Sequence, residues 1–437
     1  MTEQSLTGQS RNPFNSFQAA DDTAVATLSN GVRVVTIRLP HLHSVSVSVF
    51  VRSGSGHESR GLSGISHFVE HMAFKGTHER SCQQINYDAE RLGAEVNAHT
   101  DKDHTAYHMR GMARDCGRFL HMLGDIVQNS SFPQAELERE RQVILQEFIE
   151  DEDDPLALAY RLFDKACYGS HPLAQAVIGS RRNIERFSRD ELLAYVQQQY
   201  SGANVVVGIA GNIDVAAALK DTEAAFGSMR QGAENQVSEP AYIGGFAARR
   251  QPGCSQTHVI LGYPLPSLKA NYHAGSVAAA LFGEGMSSPL MDEIRERRGL
   301  VYYAACSADV SDLCGQFVVE ASTAPEHLEE LFVEMTRLLS AQAETVDPVG
   351  LERARNQIAV RSLRDEERPY RRLEDAAKDL FVYGRVRSRA ELMAQVEAVT
   401  GGEVREAFER MLATRASVAI AGKVRKIDAD RIAAVMQ

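Results

Sequence analysis

The chain has 437 residues, more than one ordinary domain needs and enough for two, each with its own core. With 24% charged and 44% hydrophobic residues it has the composition of a globular protein, and no apolar run is long enough to span a bilayer, so no membrane partner is expected. A net charge of −11 repels phosphate, which argues against nucleic acid and favours basic peptides as partners.

The N-terminus, MTEQSLTGQSRNPFNSFQ, lacks both a signal peptide's apolar core and the Arg-rich pattern of a transit peptide, and is expected to be a disordered cytoplasmic lead-in. SVSVSVFVRSG (44–54) alternates like a strand. In GISHFVEHMAFKGT (64–77), Ile65, Phe68, Val69 and Met72 recur at helical spacing, with Ser63 expected to cap the start and Gly76 the end. His67 and His71, four apart, then stack on the face opposite that apolar stripe. Two imidazoles so placed can share one cation, with Glu70 beside it to take a proton from water; the order H-x-x-E-H is the inverted form of the zinc-peptidase motif. A surface helix carrying two solvated histidines is the bland alternative, and chance gives the motif in on the order of one in thirty such chains.

DHTAYHMRG (103–111) also alternates, so His104 and His108, like the neighbouring His99, are expected on the surface or on a strand face. The helix expected over 134–150 carries Glu136, Glu138, Glu140, Glu147 and Glu150; Glu140 and Glu147, seven apart, lie at the margin of its stripe of Leu137, Ile144 and Phe148. The acidic run EDEDDP (150–155) reads as a solvated helix end. Cys82, Cys116, Cys167, Cys254, Cys306 and Cys314 show no C-x-x-C pairing and are expected as buried free thiols.

The chain repeats itself. VVVGIAGN (205–212) answers to ASVAIAGK (416–423), LERERQVILQE (137–147) to LERARNQIAVR (351–361), and DELLAYVQQQY (190–200) to GEVREAFERML (402–412), at offsets of 211, 214 and 212 residues. Two homologous halves follow: residues 15–230, a linker at 231–240, and residues 241–437. The fold class expected is α+β, each half a mainly antiparallel sheet with helices packed on one face, and a cavity enclosed between the halves. In the second half Glu140 becomes Ala354, Glu147 becomes Arg361, and AAALFGEGM (278–286) stands where H-x-x-E-H would be, as expected of a metal site dismantled in one copy.

These residues resemble the pitrilysin family of zinc metallopeptidases, the inverzincins, in its mitochondrial-processing-peptidase-like branch and short bacterial type. The motif His67-x-x-Glu70-His71 followed by Glu147 in ELERERQVILQEF carries the resemblance, which covers about Thr27 to Val424. It implies one Zn2+ per chain on His67, His71 and Glu147, Glu70 as general base, and Glu140 supporting the site from behind. It also implies that Asn97 and Ala98 in EVNAHT (95–100) bind an extended peptide by main-chain hydrogen bonds, and that Arg295 and Tyr302 in IRERRGLVYYA (294–304) act on the scissile carbonyl or the substrate backbone. Where the family often has SSRL, this chain has Ser287-Ser288-Pro289-Leu290. The activity implied is endopeptidase cleavage of peptides or unfolded, presequence-like extensions in a closed chamber, by a homodimer or by a heterodimer with an inactive homologue. The alternative is a catalytically silent binding or scaffolding subunit of such a heterodimer.

Overall fold

The computed structural model describes residues 14–20, 22–424 and 432. Strands β1 (Phe14–Ala20), β2 (Thr23–Leu28), β3 (Arg33–Arg38), β4 (Ser44–Val51), β5 (Glu95–Thr100), β6 (Thr105–Met112) and β7 (Val205–Gly211) form one sheet in the order β1-β2-β3-β7-β4-β6-β5. Strands β8 (Gly245–Arg250), β9 (Thr257–Leu265), β10 (Val301–Val310), β11 (Gly315–Thr323) and β12 (Ser417–Gly422) form the other, in the order β10-β11-β9-β12-β8. Each sheet is antiparallel except for one pair, β3 with β7 and β12 with β8. Residues 231–244, between the two sets of elements, carry no helix or strand.

The helices of the first half are α1 (Ile65–Ala73), α2 (Cys82–Arg91), α3 (Cys116–Asn129), α4 (Gln134–Asp153), α5 (Pro155–Tyr168), α6 (Arg181–Arg186), α7 (Arg189–Gln199) and α8 (Val215–Phe226). Those of the second are α9 (His273–Gly283), α10 (Leu328–Glu344), α11 (Pro348–Glu366), α12 (Pro369–Tyr383), α13 (Arg389–Ala398) and α14 (Gly401–Leu412). None is long and apolar enough to cross a membrane.

Alternation along the strands sends Val45, Val47, Val49, Tyr107 and Met109 to one face of the first sheet, where they pack with Phe68, Met72, Phe119, Leu123 and Phe226 of its own helices. The second sheet does the same through Val259, Leu261, Phe317 and Val319 against Phe282, Met335 and Phe408. The expected layer of helices on one face is therefore present in both halves. The opposite faces are covered as well, by exchange. Val35, Phe50, Ala106, Val206 and Ala210 of the first sheet bury against Leu373, Ala376, Ala377 and Leu380 of α12. Ile260, Val318, Ala419 and Ala421 of the second bury against Leu158, Ala159, Phe163 and Cys167 of α5. Helices α5 and α12 start at Pro155 and Pro369, 214 residues apart, so the repeat itself is what crosses over. Polar ties accompany the exchange: Arg33 donates to the Leu380 carbonyl at 2.8 Å, and Arg52 pairs with Asp312 at 2.7 Å.

The structure corrects the expected disordered lead-in. Residues 14–20 are a strand, pairing with β2 from Phe14 opposite Leu28 to Ala20 opposite Thr23; the remainder of that stretch, 1–13, lies outside the described residues, as does most of the expected second half beyond Val424. The acidic run is tied down: Asp154 caps α5 by accepting from the Leu156 N–H at 2.8 Å, and Arg161 pairs with Glu152 at 3.0 Å. All six cysteines are free thiols; Cys167 and Cys306 are buried and the other four half-buried.

Candidate metal centre

Helix α1 presents the two histidines because its other side is committed to the core: Ile65, Phe68, Val69 and Met72 are buried. Its first turn is not capped by Ser63 as expected. The chain turns at Gly64 with φ 96°, a left-handed conformation that suits glycine, and an added Cβ would come within 2.7 Å of the Ile178 carbonyl oxygen. The carboxylate of buried Glu58 accepts from the Gly64 and Ser66 N–H groups at 2.7 and 2.8 Å, satisfying donors that a helix start leaves open. At the other end the helix stops at Ala73, before Gly76. Helix α4 is docked alongside by Arg141, which donates to the Ile184 and Phe187 carbonyls and lies over the Phe68 ring at 5.6 Å.

The two helices bring His67, His71 and Glu147 together. His67 Nε2 and His71 Nε2 are 3.8 and 3.4 Å from the same Glu147 oxygen, and one donor atom from each of the three residues lies within 4.8 Å of the others. Glu140 stands behind: its carboxylate holds His71 Nδ1 at 3.1 Å and Lys75 Nζ at 2.7 Å. A proton on His71 Nδ1 leaves the Nε2 lone pair free toward Glu147, the usual outer support of a metal-binding imidazole. Two imidazoles and a carboxylate are the donor set of a catalytic zinc site, and their convergence on one Glu147 oxygen fits that ion.

Electrostatics follow the same geometry. Burial, with His71 adding to it, pushes His67 down to about 3, so its ring is neutral. Burial opposes protonation of His71, but the hydrogen bond to Glu140 and the charges of Glu147, Glu70 and Glu140 outweigh it and hold its pKa above the ordinary value. Glu140 is pulled below the carboxylate range, since the bonds from His71 and Lys75 overcome its burial. Glu70 is raised, mainly by burial, although Thr100 donates to it at 2.7 Å.

Asn97 and Ala98 lie on β5, the edge strand of the first sheet, and the Ala98 N–H is met by Asn97 Oδ1 at 2.9 Å. Arg295 sits on a π-helical turn (Met291–Arg297) after Pro289, and Tyr302, 80% exposed, sits on β10, the edge of the second sheet. The structure joins these two, with the guanidinium 5.8 Å from the ring centroid, while neither makes a hydrogen bond or ion pair with His67, Glu70, His71 or Glu147. In the second half, the positions 214 residues on from Glu70 and Glu147 are Glu284 and Arg361, and these form an ion pair at 2.7 Å. A guanidinium stands there in place of the Glu147 carboxylate.

Three further residues support the site: Thr100, Lys75 and Glu58. Thr100 was findable, since it shares a strand face with Ala98, and so was Lys75, four residues after His71 on the same helix side. Glu58 carries no such signal: it meets the helix start through a loop. His104 is corrected: it is buried in the turn between β5 and β6, while His99 and His108 do lie half-buried on the sheet, stacked with ring centroids 5.1 Å apart.

The chain is similar to known proteins in sequence and in fold. The family profile described as insulinase (peptidase family M16) matches residues 33–181, and that of the peptidase M16 inactive domain matches residues 186–358. The chain is 34% identical over 401 residues to an uncharacterized zinc protease of Rickettsia bellii, covering 91% of this chain and 97% of that protein. It is 32% identical over 407 residues to one of Mycobacterium tuberculosis, covering 91% and 92%. Among solved structures, a protease from Helicobacter pylori shares the fold with a TM-score of 0.83 at 21% identity, covering 92% of this chain and 98% of that one. A chain of complex III2 from Candida albicans does so with a TM-score of 0.82 at 16% identity, covering 94% and 99%.

Proposed function

The chain belongs to the insulinase-type peptidase family M16, and from that premise we propose that it is a zinc-dependent endopeptidase acting on extended peptides or unfolded segments. The observation that carries the reading is the convergence of His67, His71 and Glu147 with Glu70 beside them, complete in the first half and replaced by an ion pair in the second. His67, His71 and Glu147 would hold one catalytic zinc per chain. Zinc bound there supplies Lewis acidity, polarising a scissile carbonyl and making water more acidic.

The protein's own groups do the rest. Glu70, oriented by the Thr100 hydroxyl, accepts a proton from the attacking water and passes it to the leaving amine nitrogen. Glu140 keeps His71 in the tautomer that offers Nε2. The free edge of β5 aligns a peptide by strand addition through Asn97 and Ala98, and the Asn97 side chain must release the Ala98 N–H for that to happen. Arg295 and Tyr302 would complete the site from the second half, holding the substrate backbone or the scissile carbonyl. The acidic net charge favours basic peptides. We further propose that two copies assemble to close the chamber, as a homodimer or with an inactive homologue; the silent-subunit reading has against it that none of the ligand or base positions is lost.

The deciding experiment pairs metal counting with peptidase assays on the wild type and Glu70→Gln. The variant should keep the zinc held by His67 and His71 and lose on the order of 10²–10⁴-fold in activity, the usual contribution of a positioned acid–base group. Full activity in a zinc-loaded Glu70→Gln protein would refute the assignment.

A further inference from the structure

Strand β5 looks both ways. Thr100 turns toward α1 and donates to Glu70, whereas His99, one residue earlier, turns to the opposite face, where α12 packs. On that far face His99, Asp101 and His104 of the β5–β6 hairpin meet Glu374 of α12, with one donor atom from each within 4.8 Å of the others. The sequence singled out no metal site here, and the peptidase reading does not use these residues.

Each of the two histidines has its Nδ1 engaged by a neighbour. His104 is 3% exposed; its Nδ1 is held by Asp103 Oδ1 at 2.9 Å, and its buried Nε2 has no hydrogen-bond partner. A carboxylate on Nδ1 fixes the tautomer that leaves a lone pair on Nε2, which is how metal-binding imidazoles are usually supported. His99 Nδ1 is within 3.1 Å of His108 Nε2 and 3.3 Å of the Tyr370 hydroxyl, and its Nε2 is the atom near Asp101, 3.8 Å from Oδ2. The carboxylate of Glu374, itself buried, is met by Arg371 at 2.8 Å and by Lys378 at 3.6 Å. An ion would share that carboxylate with Arg371 and take the place of the looser lysine contact.

We propose that His99, Asp101, His104 and Glu374 form a second divalent-cation site, for Zn2+ first among the common ions, that pins α12 of the second half to the first sheet. Two imidazoles with two carboxylates suit zinc, and ligand atoms about 2.0–2.1 Å from a tetrahedral ion stand roughly 3.4 Å apart, so the present cluster, whose donor atoms lie within 4.8 Å of one another, would contract by at most about 1.4 Å on binding. The site lies across the two halves, and its occupancy should raise the stability of their contact through ligand linkage.

The test uses the full-length His67→Ala/His71→Ala protein, in which the α1 site is destroyed, so its outcome is independent of the peptidase reading. Zn2+ alone is titrated by equilibrium dialysis with metal counting, Co2+ alone is followed by visible absorption, and melting temperature is recorded with and without Zn2+. The expected result is one tightly held ion, a tetrahedral Co2+ spectrum, a higher melting temperature with Zn2+, and at least tenfold weaker binding on adding His104→Gln. Because His104 is buried and its variant could fail to fold, Glu374→Gln, which keeps the side chain's volume, provides the same comparison. No bound ion in the His67→Ala/His71→Ala protein overturns the proposal. So does an adventitious ion only, meaning zinc whose affinity is indifferent to Glu374→Gln and whose Co2+ form gives an octahedral, solvent-like spectrum.

Discussion

At the scale of single residues, what the sequence makes legible is chemistry that lies on one periodic element. His67, Glu70 and His71 are read from helix spacing alone, and Glu147 from its loss in the repeat together with the family resemblance. Glu58, which holds the start of the same helix, is invisible because a loop and not a periodic element delivers it. His57, beside it, shows what such a loop can store. Its Nδ1 accepts the Gly54 N–H at 3.2 Å; burial first, then the charge of Arg52, push its pKa down to about 4, with Asp312 and Asp103 opposing. As pH falls through about 6.5 the unfolded chain takes up this proton before the folded one does. The folded state therefore loses stability from about pH 6.5 to 4, on the order of 2–3 kcal/mol from a shift of this size. Urea unfolding of the wild type and His57→Gln across that range should show the variant's profile flatter by that amount. Parallel profiles would mean that His57 is not a source of the acid lability.

At the scale of elements, strands and helices are legible from their periods, and their caps and edges are not. The helix expected over 134–150 is α4 to within three residues, because its stripe of Leu137 and Ile144 has to face the core. EVNAHT is β5 residue for residue, yet only the sheet order makes it an edge with an open side. That edge gives a prediction about substrate. Proline at an edge position removes a donor that no neighbouring strand uses and is tolerated by the sheet. Ala98→Pro should therefore leave the fold intact while removing one main-chain bond to a peptide, worth roughly 1 kcal/mol, and so raise KM by about five- to tenfold with a smaller change in kcat. Steady-state kinetics with a peptide substrate, beside a melting curve, decide it: an unchanged KM in a folded variant would remove Ala98 from the binding edge.

At the scale of the whole molecule, the repeat announced two halves but not that they exchange helices. The signal was present in one respect. VVVGIAG and SVAIAG are apolar at nearly every position, the mark of strands buried on both faces, so a single layer of helices could not have covered them. What the sequence does not encode at short range is which helix supplies the second layer, since α12 is contributed from beyond the linker. The consequence is that neither half has a complete core. A fragment of residues 1–236 would leave Val35, Phe50, Val206 and Ala210 without α12, and one of residues 237–437 would leave Ile260, Val318 and Ala419 without α5. Faces of that kind, exposed to water, favour aggregation or partner capture. Each fragment made alone should be insoluble or lack a cooperative melt, the two made together should co-purify, and the intact chain should unfold in one transition by calorimetry and by near-ultraviolet circular dichroism alike. A native-like, cooperative melt of either fragment alone would mean that the exchanged helices are accessory to cores already sufficient without them. Joint folding would mean that the second half is needed to close the first sheet, whose far face its helix α12 covers.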